Sequence, residues 1–342
     1  MNSEPTRWGI IGTGKIAKAF AAALRDTPGA VLAGVASRSA DSAAAFAREH
    51  GVAKAYGSYA ALAGAPDIDL VYIATPHTEH FANAMQALEA GKGVLCEKPF
   101  TMNRAEAEQV VALARAKKLF LMEAMWSRFM PALAEVRRII ATGEIGAVNQ
   151  VTADFGFTAT FDPAHRLFNR ELGGGALLDL GIYPLSIAAA LLGPVASVTA
   201  QAEIGSTGVD LNTGFILRHE GGGISSCACS LTAHTPVELT VSGPGGFIRM
   251  NTRFHHAQSI TVNPSDGVAR TIATPFLGNG YVHEAIEAQR CWHAGLIESP
   301  GMTHDETLGL MGVLDDVRSQ IGLRYAADEA ADSERGDIAS AN

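Results

Sequence analysis

Short apolar runs alternate with helical periods through the first third of the chain. Residues 8–11, 31–36, 70–74, 93–96 and 119–122 are apolar with scarcely a polar interruption, whereas residues 15–24, 40–49, 78–90 and 104–117 space their apolar side chains three or four apart. The first pattern belongs to strands buried on both faces, the second to amphipathic helices. Strand, helix, strand at this spacing implies right-handed crossovers. Residues 1–124 are therefore predicted to form an α/β domain, a doubly wound parallel sheet.

The texture changes after a helix predicted at 131–141. Apolar and β-branched runs at 147–157, 195–203, 213–218, 224–231, 237–242, 247–250 and 259–262 follow one another without helices between most of them. Turns such as His219-Glu220-Gly221-Gly222-Gly223 and Gly243-Pro244-Gly245-Gly246 join them. This predicts an α+β domain over residues 125–325 with a large, mostly antiparallel, open sheet. One long helix, at 175–192, interrupts the strands early, and helices at 282–295 and 303–321 close the domain. Residues 326–342 are small, acidic and aperiodic, and a frayed tail is expected.

At 342 residues the chain exceeds the size at which one core usually stops growing, in line with two domains. The net charge of −9 and the lack of a clustered basic face argue against a nucleic-acid partner. Cys96, Cys227, Cys229 and Cys291 are too scattered for a disulfide scaffold or thiolate cage and read as packed, reduced thiols. The N-terminus lacks a basic stretch followed by a long apolar one, and residues 8–11 are too short for a signal or a span. A cytoplasmic protein without a membrane partner is expected.

Gly12-Thr13-Gly14-Lys15-Ile16-Ala17 follows the first apolar run and opens the first helix. In that context a G-x-G-x-x-A match marks a Rossmann dinucleotide site: one glycine for the tight turn, one for the approach of the pyrophosphate, and a small residue for helix–strand packing. At the end of the second strand stands Ala36-Ser37-Arg38-Ser39, where an NAD-specific site usually has an acid. The Arg38 guanidinium suits a 2′-phosphate, and Ser37 and Ser39 add hydroxyls. NADP(H) is expected, with NAD(H) left open by the alternative that Arg38 is solvated and Asp41 serves the ribose.

The chemistry is carried by two segments. Glu97-Lys98-Pro99-Phe100 follows the fourth strand, at the carboxyl end of the sheet where such folds bind ligands. Pro99 restricts Lys98 to an extended conformation and is able to take the cis form. Asp179 and Tyr183, behind Gly173-Gly174-Gly175, are four apart in a predicted helix and share one face. The glycines are read as leaving room for a ligand or cofactor to approach the backbone. An ammonium near a phenol favours the phenolate, so Lys98 and Tyr183 belong together as proton-handling groups, with Asp179 beside them. His255-His256, His283 and His293 show no ligand pattern with cysteines or carboxylates. They read as surface or pocket-rim residues, and no metal is expected.

With Ala74-Thr75-Pro76-His77-Thr78-Glu79-His80, Glu97-Lys98-Pro99 and the glycine-rich Asp179 segment in this order, the chain resembles the Gfo/Idh/MocA family of nicotinamide-dependent sugar and diol oxidoreductases along nearly its whole length. Most members carry His where Tyr183 stands. Tyr there is similar to the branch of dimeric dihydrodiol dehydrogenases, NADP-dependent xylose dehydrogenases and glucose-fructose oxidoreductase. Residues 123–131, Glu298-Ser299-Pro300 and Asp305-Glu306-Thr307 resemble the dihydrodiol dehydrogenase pattern.

The resemblance implies Tyr183 as general acid/base, Lys98 as its electrostatic partner and Asp179 as the group orienting substrate hydroxyls. It implies Thr75, Pro76, His77, His80 and Glu97 around the cofactor ribose and nicotinamide. Trp126, Phe155 and Arg166 become candidates for the substrate and nicotinamide walls, with ordinary core aromatics the competing reading of the first two. The expected activity is NADP(H)-dependent oxidation of an aldose at C1 or of a trans-dihydrodiol, by a homodimer or homotetramer joined through the C-terminal sheet. A non-catalytic dinucleotide sensor of the same fold is the alternative from another class. A glucose-fructose-type enzyme is a further alternative, but the export signal and N-terminal arm usual in that type are not seen, so exchangeable cofactor is expected.

Overall fold

In the computed structural model, which describes residues 4–329, the apolar runs of the N-terminal third pair as one parallel sheet. Its strands are β1 (Thr6–Ile11), β2 (Ala30–Ala36), β3 (Lys54–Tyr56), β4 (Leu70–Ile73), β5 (Gly93–Glu97) and β6 (Leu121–Ala124), in the order β3-β2-β1-β4-β5-β6. Helices α1 (Lys15–Asp26), α2 (Ala40–His50), α3 (Tyr59–Ala63), α4 (His80–Glu89) and α5 (Arg104–Lys117) form the crossovers. The chain order reverses between β1 and β4, so the carboxyl ends of these neighbours open a crevice where doubly wound sheets bind ligands. Phe20 of α1 meets Trp8 of β1 edge-on at 5.4 Å and stacks on Tyr72 of β4 at 3.7 Å, tying helix to sheet.

The strand β3 and helix α3 carry no long apolar run and were not foreseen. The three residues of β3 pair with β2 at the sheet edge, and Ser58 caps α3 by accepting a hydrogen bond from Ala61 N–H at 3.2 Å. Strand β6 begins two residues later than the run at 119–122 suggests. Its final turn outward is fixed by Glu123, which is buried and accepts hydrogen bonds from Phe100 N–H at 3.1 Å and Thr307 Oγ1–H at 3.2 Å. A polar residue held inside a strand is invisible to a hydropathy pattern.

Helix α6 (Pro131–Ala141) leads to the second sheet: β7 (Gln150–Gly156), β8 (Val195–Ile204), β9 (Asp210–His219), β10 (Ile224–Ser230), β11 (Leu239–Gly243), β12 (Gly246–Met250), β13 (Ser259–Pro264) and β14 (Arg270–Ala273). Their order is β14-β13-β12-β11-β7-β10-β9-β8, and the β7–β10 pair alone is parallel. Edge strand β14 is short and polar and was not foreseen. The helix expected at 175–192 starts as a π-helical turn, Leu177–Gly181, before α7 (Ile182–Leu192). By length and hydropathy the stretch Arg170–Leu192 qualifies for a membrane, yet 78% of its most apolar window is buried in the fold.

Among the described residues the chain divides into two compact units. One comprises 4–101, 105–126 and 277–308; the other comprises 102–104, 127–276 and 309–329. Residues 277–308, expected with the second domain, thus pack with the first. Helix α8 (Val282–His293) explains why: Trp8 Nε1–H donates to Gln289 Oε1 at 3.1 Å, and His293 Nε2 lies 2.8 Å from Thr6 Oγ1. A returning segment leaves no trace in a linear pattern. In the second unit, after α9 (His304–Ile321), the expected frayed tail is anchored at least to Asp328. That residue accepts two hydrogen bonds from Arg318 and one from Tyr325 N–H. Residues 330–342 of the expected tail lie outside the described residues.

Candidate active site

The nucleotide turn is built by steric necessity. Gly12, at φ +107°, would place a Cβ 2.6 Å from the Ala74 carbonyl oxygen, so no other residue fits between β1 and β4. Gly14 caps α1 without a side-chain hydrogen bond, and a Cβ there would meet nothing within 4 Å. The first-turn N–H groups of α1 therefore have open space before them, flanked by Thr13, Lys15 and Ile16, which fits a pyrophosphate. At the end of β2, Arg38 is exposed. Ser37 Oγ accepts from Ser39 N–H, and Ser39 Oγ caps α2 by accepting from Ser42 N–H, both at 3.3 Å. Each hydroxyl hydrogen is left able to donate. Asp41 sits in the first turn of α2 and is exposed.

Beyond β4, Thr75 and Pro76 lead through a 3₁₀ turn, His77–Glu79, into α4. His80 is fully buried. Its Nε2 lies 3.0 Å from Thr75 O and its Nδ1 lies 2.9 Å from Pro99 O. Burial pushes the imidazole down from its ordinary value, against the two carbonyls, which favour the charged ring. His80 thus fastens the Thr75 loop to the Pro99 loop rather than presenting a ring to a ligand. His77 remains half-buried, in edge contact with His80.

The Lys98–Pro99 bond is cis, and Lys98 is half-buried at the carboxyl end of β5. Glu97 before it is buried; it accepts a hydrogen bond from Tyr72 O–H and another from Lys98 N–H at 3.1 Å. Like His80, Glu97 is engaged by the protein, and it sets the path of the Lys98 backbone. Trp126 is stacked on Tyr281 at 4.3 Å.

In the second unit, Asp179 is buried in the π turn and is gripped by Arg166, Nη1 to Oδ1 at 3.0 Å and Nη2 to Oδ2 at 3.3 Å. Tyr183 follows on α7, 7% exposed, its ring 5.4 Å from Phe155 and 5.3 Å from His255. Phe155 and His255 stack at 4.4 Å with planes 15° apart. His255, read from the sequence as a rim residue, is buried against Tyr183 instead. Nothing local announces it, because the turn at 254–256 meets β7 only through the sheet.

The glycine run has a different reason from the one expected. A Cβ on Gly174 would lie 2.7–2.9 Å from the carbonyls of Arg166, Leu167 and Asn169, and one on Gly175 would lie 2.2 Å from Asp210 Oδ1. The glycines admit the protein's own backbone and a buried acid. Asp210 accepts from Leu177 N–H at 2.8 Å and Thr213 Oγ1–H at 2.6 Å, while Tyr325 O–H donates to Gly174 O. Burial raises the Asp210 carboxyl above its ordinary value, and these hydrogen bonds oppose the rise.

Residues 6–125 match an oxidoreductase family with an NAD-binding Rossmann fold, GFO/IDH/MocA, and residues 133–249 match the GFO/IDH/MocA C-terminal domain. A trans-1,2-dihydrobenzene-1,2-diol dehydrogenase of Danio rerio is 36% identical over 334 residues, which cover 94% of this chain and 98% of that one. An NADP⁺-dependent D-xylose 1-dehydrogenase of Hypocrea jecorina is 36% identical over 369 residues, covering 95% and 94%. The solved 3-ketoreductase of Actinomadura kijaniata, in complex with NADP and TDP-benzene, superposes with a TM-score of 0.83 at 26% identity, over 93% of this chain and 98% of that one.

Proposed function

The chain belongs to the Gfo/Idh/MocA oxidoreductase family, and from that membership we propose that it is an NADP(H)-dependent dehydrogenase acting on a CH–OH group of a sugar or a cyclic vicinal diol. The observation that carries the substrate class is the bidentate Arg166–Asp179 pair one turn before the buried phenol of Tyr183. A carboxylate neutralised in this way only accepts hydrogen bonds, so it suits a substrate with a hydroxyl next to the reacting one. The paired rings of Phe155 and His255 offer a flat face to a cyclic substrate.

When bound, the nicotinamide supplies the hydride acceptor or donor. Tyr183 takes the hydroxyl proton in the oxidative direction and returns it in reduction. Lys98, at the carboxyl end of β5, is the second residue we assign to this proton transfer. Thr13, Lys15 and Ile16, with Gly12 and Gly14, hold the pyrophosphate through backbone N–H groups, and Arg38 binds the 2′-phosphate. The exposed face of the second sheet carries Ile204, Ile216, Ile224 and Phe247, and we place a homodimer or homotetramer contact there. Sedimentation equilibrium showing a monomer at micromolar concentration would remove that part. The four buried free thiols suit a reducing cytoplasm, which fractionation of the native host tests directly.

A screen of NADPH formation over aldoses and cyclic vicinal diols, with titrations of NADPH and NADH into the wild type and Arg38→Ala, tests the reading. Turnover on at least one such substrate is expected, with NADPH affinity falling about 10- to 100-fold in Arg38→Ala, as loss of a charged hydrogen bond implies. Tight NADPH binding without turnover on any of them would make the chain a sensor instead.

A further inference from the structure

We propose, resting on the dehydrogenase reading above, that the turn at 325–328 is a clasp that positions the Arg166–Asp179 pair, with Tyr325 as the positioning residue. Tyr325 is 2% exposed and its O–H donates to Gly174 O, while Arg170 Nε–H donates to Arg324 O at 2.7 Å. Two bonds thus tie the turn after α9 to the segment that lies between Arg166 and Asp179. No part of the proton chemistry above uses them.

A clasp positions something only if it is stiff itself. Gly322, left-handed at φ +70°, ends α9 and lets Leu323 N–H turn back to Arg318 O at 2.9 Å. Arg318 is 3% exposed and reaches past that turn: Nη1 donates to Asp328 Oδ2 at 2.5 Å, and Nη2 to Asp328 Oδ1 at 3.1 Å and Asp315 Oδ1 at 2.5 Å. Asp328 also accepts from Tyr325 N–H at 2.8 Å and from Asn103 Nδ2 at 3.3 Å. Burial opposes its charge, yet the Arg318 bonds prevail and hold the carboxyl below its ordinary value. One buried guanidinium between two acids is a charge-assisted, partly bidentate lock. Its central carbon stands 5.3 Å from the centre of the Tyr325 ring. The phenol is therefore fixed at its backbone, its ring and its hydroxyl.

The glycine run passes this constraint on in both directions. Gly174 N–H donates to Asn169 O at 3.0 Å and Gly175 N–H to Leu167 O at 2.9 Å, so the run folds back on the residue next to Arg166. A Cβ on Gly175 would stand 3.2 Å from the Tyr325 hydroxyl oxygen, which measures how closely the phenol approaches. On the other side Leu177 N–H donates to Asp210 at 2.8 Å, and Asp179 follows two residues later. A shift of Gly174 O therefore moves both halves of the ion pair, whose bonds at 3.0 and 3.3 Å are already near the long end for a charged pair. Burial drives the Tyr325 phenol well up, so its hydroxyl remains a donor. Tyr325 acts through the run alone.

Tyr325→Phe removes the hydroxyl and keeps the ring. The first measurement is amide hydrogen exchange, which needs no substrate. Residues 167–180 are expected to exchange about 10-fold faster in Tyr325→Phe than in the wild type, as loss of one buried hydrogen bond implies, with β12–β14 unchanged. Ile248→Val, a change in the buried face of β12, is the control for lost stability and is expected to leave residues 167–180 at the wild-type rate. An unchanged rate in Tyr325→Phe, or an equal rise in both variants, overturns the clasp. The second measurement is turnover on the substrate the screen identifies: Tyr325→Phe is expected to lower kcat/KM for it about 10- to 100-fold with NADPH affinity unchanged, and Ile248→Val to change neither. A wild-type kcat/KM in Tyr325→Phe overturns the positioning role. Should Tyr325→Phe not fold, Asp328→Asn replaces it by loosening the Arg318 lock, with the same two results expected. Wild-type protein that turns over no substrate defeats the dehydrogenase reading and leaves the exchange comparison to judge the clasp by itself.

Discussion

Tyr183 reaches its surroundings with the ring packed and the hydroxyl as its only polar atom, so removing that oxygen changes chemistry before it changes packing. Tyr183→Phe is expected to reduce kcat by about 10²- to 10⁴-fold while leaving NADPH affinity near the wild-type value, and Lys98→Ala to do the same to turnover. Steady-state kinetics on whichever sugar or diol the screen identifies, beside a fluorescence titration of NADPH, check both. Full turnover in either variant would reassign the acid/base. At this scale the sequence was most informative where chemistry is local. Gly12 and Gly14 announce themselves because a tight turn into a helix tolerates little else, and Lys98 because it ends a strand before a proline. His255 was read as a surface or pocket-rim residue for the opposite reason: it owes its setting to Phe155, a partner far along the chain, and no spacing rule links the two.

Among the elements, the π turn Leu177–Gly181 carries Asp179 and leads directly into Tyr183, and it is held from behind. Asp210 receives its first N–H, and Tyr325 grips the carbonyl of the glycine run. Asp210→Ala leaves Leu177 N–H and Thr213 Oγ1–H without this acceptor. Because a buried unsatisfied group costs about 1–3 kcal/mol, the denaturation midpoint is expected to fall accordingly. Urea unfolding of the two proteins measures this; a change below about 0.5 kcal/mol would mean that water replaces the carboxylate. The amphipathic periods made most helices and strands legible, and the long apolar stretch was read correctly as helical. Its π start, the Asp210 support and the short elements β3, α3 and β14 were not legible, since each depends on a tertiary partner or spans too few residues to show a period.

For the whole molecule, burial sets the pH range of stability from both sides. His50, His80, His256 and His283 are all held below the ordinary imidazole value, with burial the leading cause. They stay neutral in the folded chain and take up protons when it unfolds. Their contribution is full above about pH 6.5 and is lost as the pH falls below it, at up to about 1.4 kcal/mol per pH unit for each fully titrating group. Calorimetry between pH 7.5 and 5 is therefore expected to show a falling midpoint, and His80→Gln a shallower fall; an unchanged slope in that variant would mean that the buried ring is already charged. The raised carboxyl of Glu284 works in the other direction, its contribution falling from about pH 4.5 upward.

The parallel pairing of β7 with β10 bears on how the chain reaches this state. Gln150 pairs with Ile224, and the glycine run, Asp179, Tyr183 and the strands β8 and β9 all lie between them in sequence. Closing so large a loop is entropically slow, and the ladder that closes it forms in the middle of the sheet, not at its edge. A chain that stops short of β10 contains all the candidate acid/base residues but lacks the strand that joins β7 to β9.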